Sequence, residues 1–140
     1  MAVTSEATTQ WHGSLMEGSG SVALASGSGT FPVTWASRSG AAADTTTPEE
    51  LLGAAHSACY SMALSHALSG NGTPPESLNT TAAVTFQPGT GITGSHLLVS
   101  AKVPGISAED FQRIAEDAKT NCPVSQALAG VPITLEASLA

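Results

Sequence analysis

Residues 45–68 read TTTPEELLGAAHSACYSMALSHAL, and the reading of the whole chain turns on this stretch. Thr47 suits a helix N-cap, Pro48 the first helical position, and Glu50 the third, where its carboxylate completes a capping box. Glu49 and Glu50 also put negative charge in the first turn, where the helix dipole favours it. Gly70 and the NGTPP that follows it stop the helix. A helix over about 48–69 is expected. Leu51, Leu52, Ala54, Ala55, Ala58, Met62, Ala63, Leu64, Ala67 and Leu68 spread around most of its circumference. A helix that is apolar nearly all round is a buried one, so it should lie at the centre of the structure. In its middle stands Cys59. The only other cysteine, Cys122, comes 63 positions later in TNCPVSQAL.

On the N-terminal side, three short extended segments are expected near 9–16, 20–25 and 30–36, separated by Gly pairs and Ser. Pro32 confines the third to an edge or to a strand start. Residues 37–46, SRSGAAADTT, read as a connecting loop. On the C-terminal side, 80–87, 95–103 and 133–139 alternate between apolar and polar residues, as half-buried strands do. Ser107 caps a helix of about 108–120 with an apolar stripe of Phe111, Ile114, Ala115 and Ala118. Cys122-Pro123 opens a short helix ending at Gly130. The order βββ-α-ββ-αα-β points to α+β architecture, with antiparallel sheets around the long central helix, rather than to a doubly wound parallel sheet.

A chain of 140 residues fits one domain, 1–140, large enough for a proper core. Charged residues make up 11%, which argues against disorder. The formal charge is -7 and no lysine precedes Lys102. Nucleic-acid binding depends on phosphate neutralisation and is not expected. The runs GSGS (18–21) and GSGT (27–30) lack the Gly-Lys-Ser/Thr ending of a phosphate loop and read as turns. No stretch approaches 18 consecutive apolar residues, so no membrane span is expected. The start MAVTSEATTQ has neither the basic nor the apolar region of an export signal, and the cytoplasm is the expected compartment. There, two cysteines read as reactive thiols or ligands before they read as a structural bridge.

Thiol chemistry needs a thiolate, and burial among Ala and Met pushes a thiol the other way. Cys59 is mid-helix, beyond the reach of the helix dipole, so a cation would have to stabilise its charge. The chain has only two arginines. Arg113 has Glu109 and Asp117 four residues to either side and reads as a solvated ion-pair residue. Arg38, in the loop before the helix, has no local partner, and is the arginine that could serve Cys59. Glu49 lies about 15 Å from Cys59 along an unbroken helix, so an extended Arg38 would have to bridge them. Cys122 competes: at a helix start, unpaired N–H groups favour its thiolate. Residue chemistry alone leaves open which thiol attacks first. His56, within a turn of Cys59, could be a base, a metal ligand or a packed polar residue. A metal site of His56, Cys59, His66 and Cys122 lacks the familiar zinc spacings. Both cysteines as small core hydrophobes is the plain alternative.

The motifs carry a further signal. WHGSLMEGSGSV, TPEELLGAAHSACYSMALSHAL and NCPVSQAL, in this order and spacing, resemble the OsmC/Ohr family of thiol-dependent hydroperoxide reductases over nearly the whole chain. AAHSAC is the form of the OsmC branch, and Tyr60 stands where a phenylalanine is more usual. The resemblance implies an OsmC-like intertwined homodimer with active sites at the subunit interface. It implies Cys59 as the peroxidatic thiol, Cys122 as the resolving one, Arg38 holding the thiolate and Glu49 orienting Arg38. The implied substrate is an organic hydroperoxide. The implied reductant is a dithiol of lipoyl or thioredoxin type, and no metal, flavin or haem is needed. The rival from another class is a non-enzymatic carrier of a small apolar ligand, with incidental cysteines.

Overall fold

The computed structural model describes residues 1–140. The chain divides into two compact units, Met1–Leu51 and Leu52–Ala140, with the boundary inside the long helix.

In the first unit, β1 (Ala7–His12), β2 (Ser19–Leu24) and β3 (Thr30–Val33) form an antiparallel sheet in the order β1-β2-β3. Pro32 therefore sits on an edge strand, as expected. Trp11 pairs across with Gly20, where a Cβ would stand 2.7 Å from the indole ring. The absent side chain lets the ring approach the neighbouring strand closely. The first segment begins and ends earlier than expected, at Ala7 and His12 rather than 9–16. The third stops at Val33 rather than at residue 36. Thr34 is extended, and its hydroxyl accepts the Ser37 N–H at 3.2 Å, capping a one-turn helix α1 (Trp35–Arg38). One turn is too short to show a period, so it reads as loop in the sequence. The segment after α1 folds back on it: Ser37 donates to Asp44, the Thr45 N–H donates to Ser37, and Thr46 bridges Val33. The long helix α2 (Pro48–Gly70) then starts as its cap residues dictate. The Thr47 hydroxyl accepts the Glu50 N–H at 2.9 Å, while the Glu50 carboxylate takes the Thr46 hydroxyl at 2.7 Å.

The second unit holds most of α2, the strands β4 (Ser77–Gln87), β5 (Gly91–Lys102) and β6 (Ile133–Leu139), and the helices α3 (Ala108–Asn121) and α4 (Pro123–Ala127). β5 is central, antiparallel to β4 and parallel to β6. The parallel pair follows from the α3–α4 crossover, because a strand that returns through helices re-enters the sheet in the same direction. The sheet is thus mixed within an α+β fold. Its inner face carries Leu97, Val99 and Ala101, all fully buried, and these join Tyr60, Leu64 and Leu68 of α2 with Phe111, Ile114, Ala115 and Ala118 of α3 in one core. Ser107 caps α3 as expected, its hydroxyl accepting the Asp110 N–H. Within this unit α2 buries one stripe, Gly53, His56, Tyr60, Leu64 and Leu68, while Ala54, Ala55, Ala58 and Met62 are exposed. Gly53 permits the close approach to β4: a Cβ there would lie 2.8 Å from the Ala82 carbonyl oxygen. No helix is long and apolar enough to cross a membrane.

Candidate active site

The two cysteines meet. Cys59, one stripe over from the buried face of α2, and Cys122, between α3 and α4, are free thiols with their sulfurs 3.1 Å apart. They are not equivalent. Cys122 is fully buried. Cys59 is half-buried and lines a cleft of about 490 Å³ with Met62, Ala63, His66, Asp117, Asn121 and Pro123. A molecule entering that cleft reaches Cys59, with Cys122 directly behind it.

The acidity of the pair runs the other way. Burial pushes the Cys59 thiol up, and the hydrogen bond with Cys122 pushes it further. Burial also acts to raise Cys122. It is outweighed by the Ser125 N–H, the Cys59 thiol, the Ser125 hydroxyl and the Val124 N–H, which together bring Cys122 down. Cys122 stands at the N-cap position of α4, and Pro123 opens the helix. These contacts favour ionisation of the inner sulfur over that of the outer one.

The other pair lies in the first unit. Arg38, the last residue of α1, meets Glu49, the second residue of α2, edge-on. Its Nε donates to both carboxylate oxygens at 3.2 and 3.3 Å, and its Nη2 donates to Oε2 at 3.0 Å. Glu49 is only 6% exposed and Arg38 34%, so the carboxylate is a buried clamp that fixes a partly open guanidinium. Beside it runs an apolar cleft of about 310 Å³ lined by Trp11, Val22, Val33, Trp35 and Leu51, with Arg38 on its wall. Arg113 is an exposed surface residue, as its neighbours indicate, although the acid it meets is Asp110, 3.3 Å away.

His56 is buried completely and makes two hydrogen bonds. Nδ1 meets the Ser95 hydroxyl of β5 at 2.7 Å and Nε2 the Ser125 hydroxyl of α4 at 2.8 Å. Burial lowers its pKa, so the ring is neutral near pH 7. Of the three roles open to it in the sequence, the packed polar residue is the one its surroundings match.

A family model described as OsmC-like protein matches residues 41–136. Over an alignment of 147 positions the chain is 39% identical to Peroxiredoxin OsmC of Escherichia coli (strain K12), covering 99% of both chains. The chain belongs to the OsmC family. Among solved structures, an organic hydroperoxide resistance protein from Elizabethkingia anophelis is 26% identical with a TM-score of 0.70, covering 100% of this chain and 97% of that one. The OsmC-like protein of Mycoplasma pneumoniae, at 15% identity, shares the fold with a TM-score of 0.75 over 99% of each chain.

For an OsmC chain, the two cysteines, Arg38 and Glu49 were all readable as candidates from the sequence. Ser95 and Ser125 were not. A signal for each was present: Ser95 is a polar residue in an inward position of the run Ser95, Leu97, Val99, Ala101, and Ser125 stands three residues after Cys122. Neither says that His56 joins them.

Proposed function

We propose that this OsmC-family chain is a peroxiredoxin-like enzyme that reduces organic hydroperoxides to alcohols with Cys59 and Cys122. The single observation that carries the reading is the sulfur pair: the outer thiol opens to an apolar-walled cleft, and the inner one waits 3.1 Å behind it. An apolar-ligand carrier has no use for that arrangement. In the reaction, the Cys59 thiolate attacks the distal peroxide oxygen, the O–O bond breaks, and the alkoxide leaves as alcohol after taking a proton. Cys59 becomes a sulfenic acid. The Cys122 thiolate attacks that sulfur, the S–O bond breaks, and hydroxide leaves as water on protonation. A dithiol of lipoyl or thioredoxin type then reduces the disulfide by exchange.

Arg38, oriented by Glu49, supplies the cation that transfers the charge to Cys59 and donates to the developing alkoxide. Cys59 needs such a cation because burial and Cys122 both raise its pKa. The assembly is a homodimer. Two features support this: α2 leaves Ala54, Ala55, Ala58 and Met62 uncovered, and every residue of β1 is exposed, Trp11 included. Light scattering should give twice the 13.9 kDa of one chain. The cytoplasm, which keeps thiols reduced, is the compartment that suits two free cysteines.

The decisive measurement is consumption of cumene hydroperoxide with a dithiol present. Cys59→Ser abolishes it. Cys122→Ser leaves one turnover and a sulfenic acid that can be trapped on Cys59. The reverse pattern, with Cys122→Ser blocking the first oxidation and Cys59→Ser sparing it, overturns the assignment.

A further inference from the structure

Both tryptophans of the chain, Trp11 of β1 and Trp35 of α1, line the same cleft, the one of about 310 Å³ with Arg38 on its wall. Phe, Trp and Tyr together make up only 4% of the sequence, so two indoles at one cleft are a concentration that asks for a reason. The sheet is shaped around the first of them. Trp11, Gly20 and Val33 stand side by side across β1, β2 and β3. A Cβ on Gly20 would lie 2.7 Å from the indole and 3.0 Å from a Val33 methyl, so the ring occupies the space a side chain there would need. The Trp11 N–H donates to the Gly13 carbonyl at 3.0 Å, which fixes the edge of the ring. Trp35 opens the one-turn helix that ends in Arg38, and residues three apart on a helix are neighbours. Glu49 holds that guanidinium in place through Nε and Nη2.

These walls discriminate between substrates. An aryl ring can lie offset or edge-on against an indole and gains attraction beyond the area it buries, whereas an alkyl chain gains the area alone. Ligand clefts run from about 300 to 1,000 Å³, and this one is at the small end, sized for one ring with a short branch rather than a long acyl tail. The charged group on the wall is a donor. A hydroperoxide oxygen accepts from a guanidinium, and the positive charge suits the oxygen that turns negative as the O–O bond breaks. We propose that this cleft selects aryl hydroperoxides: the substrate ring packs against Trp11 and Trp35 while its oxygen faces Arg38. The proposal rests on the peroxidase reading above and deepens it by naming the substrate class, a single-ring aryl-alkyl hydroperoxide in preference to a linear one. Trp11 lies in β1, the strand read above as meeting a second copy, so Trp35 is the specificity-determining residue that carries the test.

Binding and turnover are read separately. Cumyl alcohol, the product of cumene hydroperoxide, should change the tryptophan fluorescence of the reduced, unmodified protein saturably; because both tryptophans line the cleft, the whole signal reports on it. An unbranched alcohol of the same carbon count should bind about tenfold more weakly. Equal binding of the two alcohols, or no saturable change with cumyl alcohol, overturns the proposal. In turnover, Trp35→Leu should lower the ratio of kcat/KM for cumene hydroperoxide to that for a linear alkyl hydroperoxide by about five- to tenfold. Trp35→Phe should restore most of that ratio, a rescue that follows from the aromatic face. A ratio that Trp35→Leu leaves unchanged overturns the proposal as well. Cumene hydroperoxide consumed with no preference over the linear one sinks the aryl selectivity and leaves the peroxidase reading intact. Cumyl alcohol bound with no hydroperoxide consumed sinks the peroxidase reading and leaves the aryl site standing.

Discussion

Cys122 lies directly behind Cys59, with the two sulfurs 3.1 Å apart and only Cys59 reached from the cleft. On the reading proposed above, access rather than acidity sets the order of events: an oxidant entering the cleft would meet Cys59 first, although its surroundings raise the Cys59 pKa and lower that of Cys122.

Closing the pair should need little rearrangement, and it ties two points 63 residues apart. A loop of that size is worth roughly 4 kcal/mol of lost unfolded-state entropy. Peroxide-oxidised protein should therefore resist urea better than reduced protein by a few kcal/mol, measured on the same preparation with and without dithiol. Equal midpoints would mean that the disulfide does not form or is heavily strained.

The Arg38–Glu49 clamp makes a sharper demand. Arg38→Ala should raise the Cys59 titration midpoint and cut the second-order rate with cumene hydroperoxide by about a hundredfold, the range expected of one lost charge-stabilising donor. Arg38→Lys should recover little, since an ammonium cannot hold the carboxylate edge-on while facing elsewhere. Glu49→Gln should fall between the two. If Arg38→Ala leaves the Cys59 midpoint unchanged, another source of positive charge must be sought.

Gly53→Ala sets helix propensity against packing. Alanine gains up to about 1 kcal/mol in a helix interior. Its Cβ would stand 2.8 Å from the Ala82 carbonyl oxygen, a backbone atom of β4 that cannot step aside cheaply. Overpacking of this kind costs about 1–3 kcal/mol, so net destabilisation is expected in a denaturant melt.

His56 also predicts a pH dependence of stability. Its folded pKa lies below the ordinary 6.5 because the ring is buried. The unfolded chain therefore binds more protons than the folded one between those two values, and stability rises with pH across that window. The contribution is complete above pH 6.5 and is lost as pH falls toward the folded value. Denaturant midpoints taken between pH 7.5 and 5 should decline, and His56→Gln should flatten the decline by up to about 1.4 kcal/mol per pH unit. A slope that His56→Gln leaves untouched would assign the acid sensitivity to the carboxylates instead.

Local order explains how much of this was visible beforehand. Thr47 and Pro48 start α2, and Ser107 starts α3, through hydrogen bonds spanning only three residues, so a short window contains the whole cause. The alternation of Leu97, Val99 and Ala101 likewise announces a strand with one buried face. The early part of β5 stayed hidden because Gly91 and Gly94 interrupt the pattern. α1 stayed hidden because a single turn has no period. The parallel pairing of β6 with β5 depends on where a crossover returns, which no residue of β6 records.

Sequence by itself determined the α+β order and the long capped helix, and its resemblance to the OsmC/Ohr family named Arg38, Glu49, Cys59 and Cys122 as candidates for thiol chemistry. Tertiary structure alone decided which sulfur faces the cleft, which is more acidic, and that His56 joins Ser95 and Ser125, partners 39 and 69 residues away. The reason is physical: caps and periodicities are set by neighbours along the chain. Access, burial and long-range hydrogen bonds exist only once distant segments pack together.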